Sequence, residues 1–295
     1  MEYVHSILSN VALNPWLLAV YGLTIFSLIG VWLIENKNVW RVTGILALFI
    51  ALAMDHVSLI ALPSLLLLLI FTTALQFDKN RARQGIWRLS VVILPLIIAL
   101  AFSGAFSTWT LLDGIQLGHS SSSYAINLNM SKPLIALILL ATVVPTISSL
   151  TDLSQMLKKT IPIFAIGLPA VVAFSSAVGY TQFDFKLQPI IFAWGTVNLF
   201  VTCIGEEVFF RGIILKQLVN SFEPFKNGKY LALALSSIIF GIVHFNGGLI
   251  FILVATSAGL LYGAAYIKTG KVEASILCHF GINVFHFIFL TYPKI

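Results

Sequence analysis

The chain alternates long apolar runs with short polar breaks. A helix needs about 20 apolar residues, within a range of about 17–25, to cross the hydrocarbon core of a bilayer. Ten stretches meet or approach that length: 16–34, 42–54, 59–77, 89–106, 133–150, 161–180, 189–219, 230–245, 249–267 and 274–292. The second is short and can form a hairpin with the third across Asp55-His56. The seventh is long enough to kink or to leave the bilayer at Lys216. Within a bilayer each backbone N–H and C=O has to be satisfied inside the protein, and a helix does this within one segment. The pattern predicts an all-α fold, a polytopic transmembrane helical bundle of about ten spans. An outer-membrane barrel would be written in short alternating strands.

Composition supports that class. Of 295 residues, 59% are hydrophobic and 9% charged, where soluble domains carry about 25% charged residues. The net charge of +6 is spread over short loops. It is therefore no nucleic-acid footprint. The same charges orient the chain. With the N-terminus outside and the spans alternating, thirteen Lys and Arg fall inside, Lys132, Lys186 and Lys294 fall outside, and Arg211 stays within a span. An excess of Lys and Arg marks the cytoplasmic side. The expectation is a multi-pass integral membrane protein of the bacterial inner (plasma) membrane.

Other features add little chemistry. Cys203 and Cys278 fall in apolar stretches and read as small packing residues, with no disulfide framework. The first residues lack a basic leader region, so the first run reads as a retained span. Loop 78–88 is basic and reads as a topology determinant at the anionic leaflet. Loop 107–132, with serines at 120–123, reads as an external connector.

One stretch breaks the apolar pattern sharply: Gly205-Glu206-Glu207-Val208-Phe209-Phe210-Arg211-Gly212. A charge at the centre of a span costs about 2.5–3.5 kcal/mol on insertion scales. Three charges in six positions therefore point to function. On a helix Glu207 and Arg211 are four apart and can pair. Glu206 lies about 100° away and has no partner nearby in the sequence. Two further patterns stand in other spans: Phe240-Gly241-Ile242-Val243-His244 and His279-Phe280-Gly281-Ile282-Asn283. His279 and Asn283 share one helix face, which His286 continues. Counting along the helices puts Glu206 and His279 toward the cytoplasmic side.

A carboxylate beside a neutral imidazole can hold and deprotonate a water. An Asn amide and a His N–H on one face can receive a developing oxyanion. The parts suit peptide-bond hydrolysis by activated water. Two other classes use some of the same residues: a proton-coupled carrier with Glu206 and Glu207 as relay groups, or a non-catalytic immunity or scaffold protein. Only hydrolysis has a use for oxyanion donors. Phe240, Phe245 and His286 read as packing or structural residues. There is no His-Glu-x-x-His and no Gly-x-Ser-x-Gly. A zinc site built from Glu206, His244 and His279 has acceptable ligand types and stays open.

The ordered set Glu-Glu-x-x-x-Arg, Phe-x-x-x-His and His-x-x-x-Asn resembles the CAAX-processing and bacteriocin-processing family of intramembrane glutamic endopeptidases, over roughly residues 189–292. The resemblance implies that Glu206 is the base and holds water with His244. It implies that Glu207 and Arg211 support that base, and that His279 and Asn283 form the oxyanion hole. It implies no cofactor, with zinc possible but not favoured. The partners it implies are the lipid bilayer and a membrane-associated protein or peptide substrate. Residues 161–295 are then expected to form the catalytic transmembrane core. Residues 1–160 would be an accessory transmembrane region.

Overall fold

A computed structural model describes residues 2–118 and 121–293; Ser120 and Lys294 lie outside the described residues. Eleven helices and one hairpin follow in order. They are α1 Glu2–Leu13, α2 Pro15–Leu33, α3 Lys37–Ala53, α4 Leu62–Phe77, α5 Arg81–Leu100, β1 Thr108–Ile115, β2 Tyr124–Asn129, α6 Ser131–Thr142 and α7 Leu150–Ala177. Then come α8, residues 191–222, and α9 Gly228–Ile242, α10 Gly248–Thr269 and α11 Val272–Phe289. The all-α class holds apart from the hairpin.

The expected ten spans do not all emerge. Five helical stretches are long and apolar enough to cross a membrane: Pro15–Leu33, Leu59–Phe77, Leu150–Ala177, Phe245–Thr269 and Val272–Phe289. Two apolar helices fall short. The stretch expected at 133–150 is helical only within α6, 12 residues, or about 18 Å at 1.5 Å per residue. The stretch expected at 230–245 is α9, 15 residues, or about 22 Å. A third departure is at 89–106, where α5 stops at Leu100 and a short turn, Ser103–Ala105, takes over. Hydropathy sees apolar runs; it does not see where the backbone stops being helical.

The chain divides into two compact units that interleave along the sequence. The first comprises Met1–Asp113, Ala125–Thr146 and Phe192–Phe209. Its core includes Val20, Leu28, Ala47, Ala51, Leu65 and Leu68. Small residues set the helix spacing, as is usual where lipid supplies no hydrophobic drive. A Cβ on Gly30 would lie 2.7 Å from Trp40 Cβ, and one on Gly44 would lie 2.7 Å from Leu137 Cδ2. Polar side chains inside are satisfied: Ser27 Oγ and Thr43 Oγ1 are 2.7 Å apart, and Tyr21 Oη and His56 Nε2 are 2.8 Å apart. Burial lowers the basicity of His56 below that of an ordinary histidine. Outward-facing Leu66, Ile70, Phe49 and Val42 are exposed, as a lipid-facing surface requires.

Within the segment expected as a connector, β1 and β2 pair as a two-stranded sheet. Trp109, Leu111, Ile126 and Leu128 alternate with exposed or half-exposed neighbours and are buried. Trp109 Nε1 donates to Asn10 Oδ1 at 2.8 Å. Period-2 alternation was present in the sequence but sat among serines that read as loop.

The second unit comprises Gly114–Tyr124, Ile147–Ile191 and Phe210–Ile295. At its middle is α10, with Ala255, Ala258, Gly259, Leu261, Tyr262 and Ala265 buried. Gly270, at φ +71°, ends α10 in the left-handed conformation that glycine takes without a steric penalty. Lys271 Nζ reaches Asp152 Oδ2 at 3.0 Å, and Glu273 Oε1 accepts from Ile147 N–H at 2.7 Å. At the other end an extended segment pairs with the end of α11: Asp184 N–H donates to Phe289 O at 2.8 Å, and Thr291 N–H donates to Gln182 O at 2.9 Å. Lys186, expected as an exposed outer lysine, is buried there and donates to Leu290 O.

Candidate active site

Helix α8 carries the charged stretch and is irregular where it does so. A single α-helical turn, Ile204–Phe209, lies between two π-helical segments, Asn198–Cys203 and Phe210–Leu215. Such π-turns recur at functional sites because they re-aim side chains within a helix. The chain passes from the first unit to the second between Phe209 and Phe210, so the motif itself is divided.

In the first unit Glu206 and Glu207 are buried, at 8% and 0% exposure. Glu206 does not stand alone, as its sequence neighbours had suggested. Lys132 Nζ lies 2.7 Å from Glu206 Oε1. This lysine was expected to be a plain outer-loop residue; it sits in the first turn of α6, facing α8. Gly205 permits the approach. A Cβ there would lie 2.9 Å from Lys132 Cβ and 3.4 Å from the Lys132 backbone carbonyl. No local signal in the sequence links two residues 74 positions apart.

In the second unit Arg211 is fully buried. Its Nη2 donates to Gly259 O at 3.0 Å. Its guanidinium carbon lies 4.4 Å from the centre of the Phe240 ring and 5.3 Å from that of Tyr262. Aromatic faces are attractive to a cation at such distances. Phe240, read from sequence as packing alone, is the ring around which the site is built. It meets Phe210 edge-on at 5.0 Å, His244 at 4.8 Å and His279 edge-on at 5.9 Å. Phe245, also read as packing, is 58% exposed, because it lies past the end of α9.

His244 follows the C-terminus of α9 directly. Its Nδ1 is 2.7 Å from Phe240 O. A carbonyl only accepts, so Nδ1 carries the proton. In the neutral ring this leaves the Nε2 lone pair to accept from a water or a substrate. His279 stacks on Tyr262, with centroids 4.6 Å apart and planes 13° apart.

His244, His279 and Asn283 line one cavity of about 100 Å³ within the second unit, with Phe240, Tyr262 and Phe251 among its walls. His286 lines it too, and its Nε2 donates to Thr291 O at 2.9 Å, which gives that ring an anchoring role. The three side chains come from two of the motifs, His244 from the end of α9 and His279 with Asn283 from α11, and meet here. Tyr180, Thr181 and Leu290 also line the cavity. These residues follow α7 and end α11, whereas Lys158, Lys159, Lys268 and Lys271 lie toward the other ends of the helices concerned. Among the described residues no group of three or more His, Cys, Asp or Glu side chains is placed to hold a metal ion.

Buried charges and imidazoles in long apolar helices are costly and mark a functional site in a membrane protein. Residues 188–285 match the family described as type II CAAX prenyl endopeptidase, Rce1-like. The part of the chain that bears all three motifs is thus similar to that family of membrane proteases. No curated protein and no solved structure is similar enough to the chain to match it.

Proposed function

We propose that this chain is an intramembrane endopeptidase that cleaves a membrane-associated protein or peptide tail with activated water. The observation that carries the reading is the meeting of His244, His279 and Asn283 on one aromatic-walled cavity. Glu206 takes a proton from water as the new C–O bond forms, and His244 Nε2 holds that water. His279 and the Asn283 amide donate to the oxygen that gains charge. The proton then passes to the leaving amine as the C–N bond breaks. Glu207 and Arg211 hold α8 in place. The chemistry needs no metal, and the site of action is the bacterial plasma membrane.

The test compares membrane peptide termini, by mass spectrometry, in cells carrying the native chain and cells carrying Glu206→Gln. Termini found only with the native chain establish the protease and reveal its substrate. Equal termini at equal expression overturn the reading.

A further inference from the structure

Lys132 enters none of the motifs and lies outside the family match, yet it makes the ion pair to the carboxylate proposed as base. Several features hold it there. Asn129 closes the hairpin and fixes the first turn of α6: its Oδ1 accepts from Ser131 N–H at 3.0 Å and from Ser131 Oγ at 2.7 Å. Asn129 Nδ2 donates to Phe106 O at 2.8 Å. Met130 is fully buried and Pro133 follows at once. On the facing helix Gly205 offers no side chain. The backbone on both sides is thus shaped to bring this lysine to Glu206.

The pair is also uneven. The Glu206 side chain is 10% exposed, the Lys132 side chain 47%. A carboxylate buried alone would give up its charge rather than stay ionised. An ammonium at 2.7 Å favours the charged form, which is the only form able to take a proton. Glu207 stands on the same turn and Cys203 one turn earlier, and Lys132 is the one ionisable residue of α6.

We infer that Lys132 is the positioning residue of the reaction: it keeps Glu206 charged and fixed in one orientation, and it acts only through that carboxylate. This rests on Glu206 being the base. A structural pair would need only to hold the two helices together. A positioning pair has to supply charge at one carboxylate oxygen, so arginine can stand in for lysine and a neutral side chain cannot.

The experiment uses the full-length chain in detergent. The probe is a quenched fluorogenic peptide spanning the terminus revealed by the Glu206→Gln comparison. kcat and KM are measured for the native chain, Lys132→Met, Lys132→Gln, Lys132→Arg and Glu206→Gln, with thermal unfolding of each. The expected result is a loss in kcat of at least about tenfold for Lys132→Met and Lys132→Gln, within the range general bases contribute. KM should stay within about threefold, and Lys132→Arg should restore kcat to within about threefold of native. Lys132→Gln keeps a hydrogen-bonding group, so it covers the case in which Lys132→Met does not fold. An inactive Glu206→Gln together with native kcat in folded Lys132→Gln overturns the role of Lys132 alone. Failure of Lys132→Arg to restore kcat overturns it as well. Full turnover by Glu206→Gln overturns the reading of the base, and this inference with it.

Discussion

The two units bury ionisable groups by different means. In the first, Glu206 is met by a full opposite charge, Lys132 at 2.7 Å. In the second, Arg211 is met by the Gly259 carbonyl and by two ring faces, and His279 by the flat face of Tyr262. Desolvating a charge is costly in either setting. A countercharge compensates through one bond and fails when that bond is lost. Rings spread the compensation over several contacts and also make a dry, shaped wall. The first arrangement suits a group that has to remain an anion. The second holds a cation or a neutral ring in one orientation through several weaker contacts.

That contrast can be broken most strongly at Arg211. Arg211→Ala leaves the buried Gly259 carbonyl without this donor and removes the guanidinium from between two rings, so a loss of about 1–3 kcal/mol in unfolding free energy is expected; chemical denaturation in detergent would read it, and native stability would show that these contacts contribute nothing. Under the proposed mechanism Asn283→Ala removes one oxyanion donor. The expected cost is about 10²–10³ in kcat with folding intact, and unchanged kcat would remove Asn283 from the machinery. Gly205→Ala probes the first unit. Its Cβ would press on the Lys132 Cβ and backbone, and overpacking of this kind costs about 1–3 kcal/mol. Activity should fall together with stability here, whereas Asn283→Ala separates them.

The smallest effect lies outside the membrane, where a carboxylate has solvent as well as partners. Asp78 accepts from Arg83, from the Asn80 backbone and from Trp87 Nε1 at 3.0 Å. The Arg83 side chain and these donors hold its carboxyl down to about 2. A lowered acid stabilises the folded loop above its ordinary value near 4, and that contribution is lost as pH falls toward 2. Trp87 fluorescence, read against a Trp87→Phe control, should change over that interval in the native chain and stay flat in Asp78→Asn.

Much of this architecture could be read without coordinates. Glu206, Glu207, Arg211, His244, His279 and Asn283 stood out because each is expensive in an apolar run. Their partners did not stand out, because Lys132, Tyr262 and Phe240 carry no anomaly of their own. Lys132 looked like one more loop lysine, and Phe240 like any core ring. The π-segments of α8 leave no periodic trace in a stretch apolar on all sides. At α6 and α9 the helix is shorter than the apolar run that suggested a span, for a related reason: composition stays apolar after the helix has ended.

Those two short helices have a consequence for the lipid itself. A bilayer core is about 30 Å thick, and α6 and α9 reach only about 18 and 22 Å. Lipid tails beside them have to compress, or headgroups have to sink, at a modest elastic cost per ångström of mismatch. Lys132 lies in the first turn of α6, and His244 lies just past the last turn of α9. Where lipid tails meet either helix end, the bilayer core has to thin to match it.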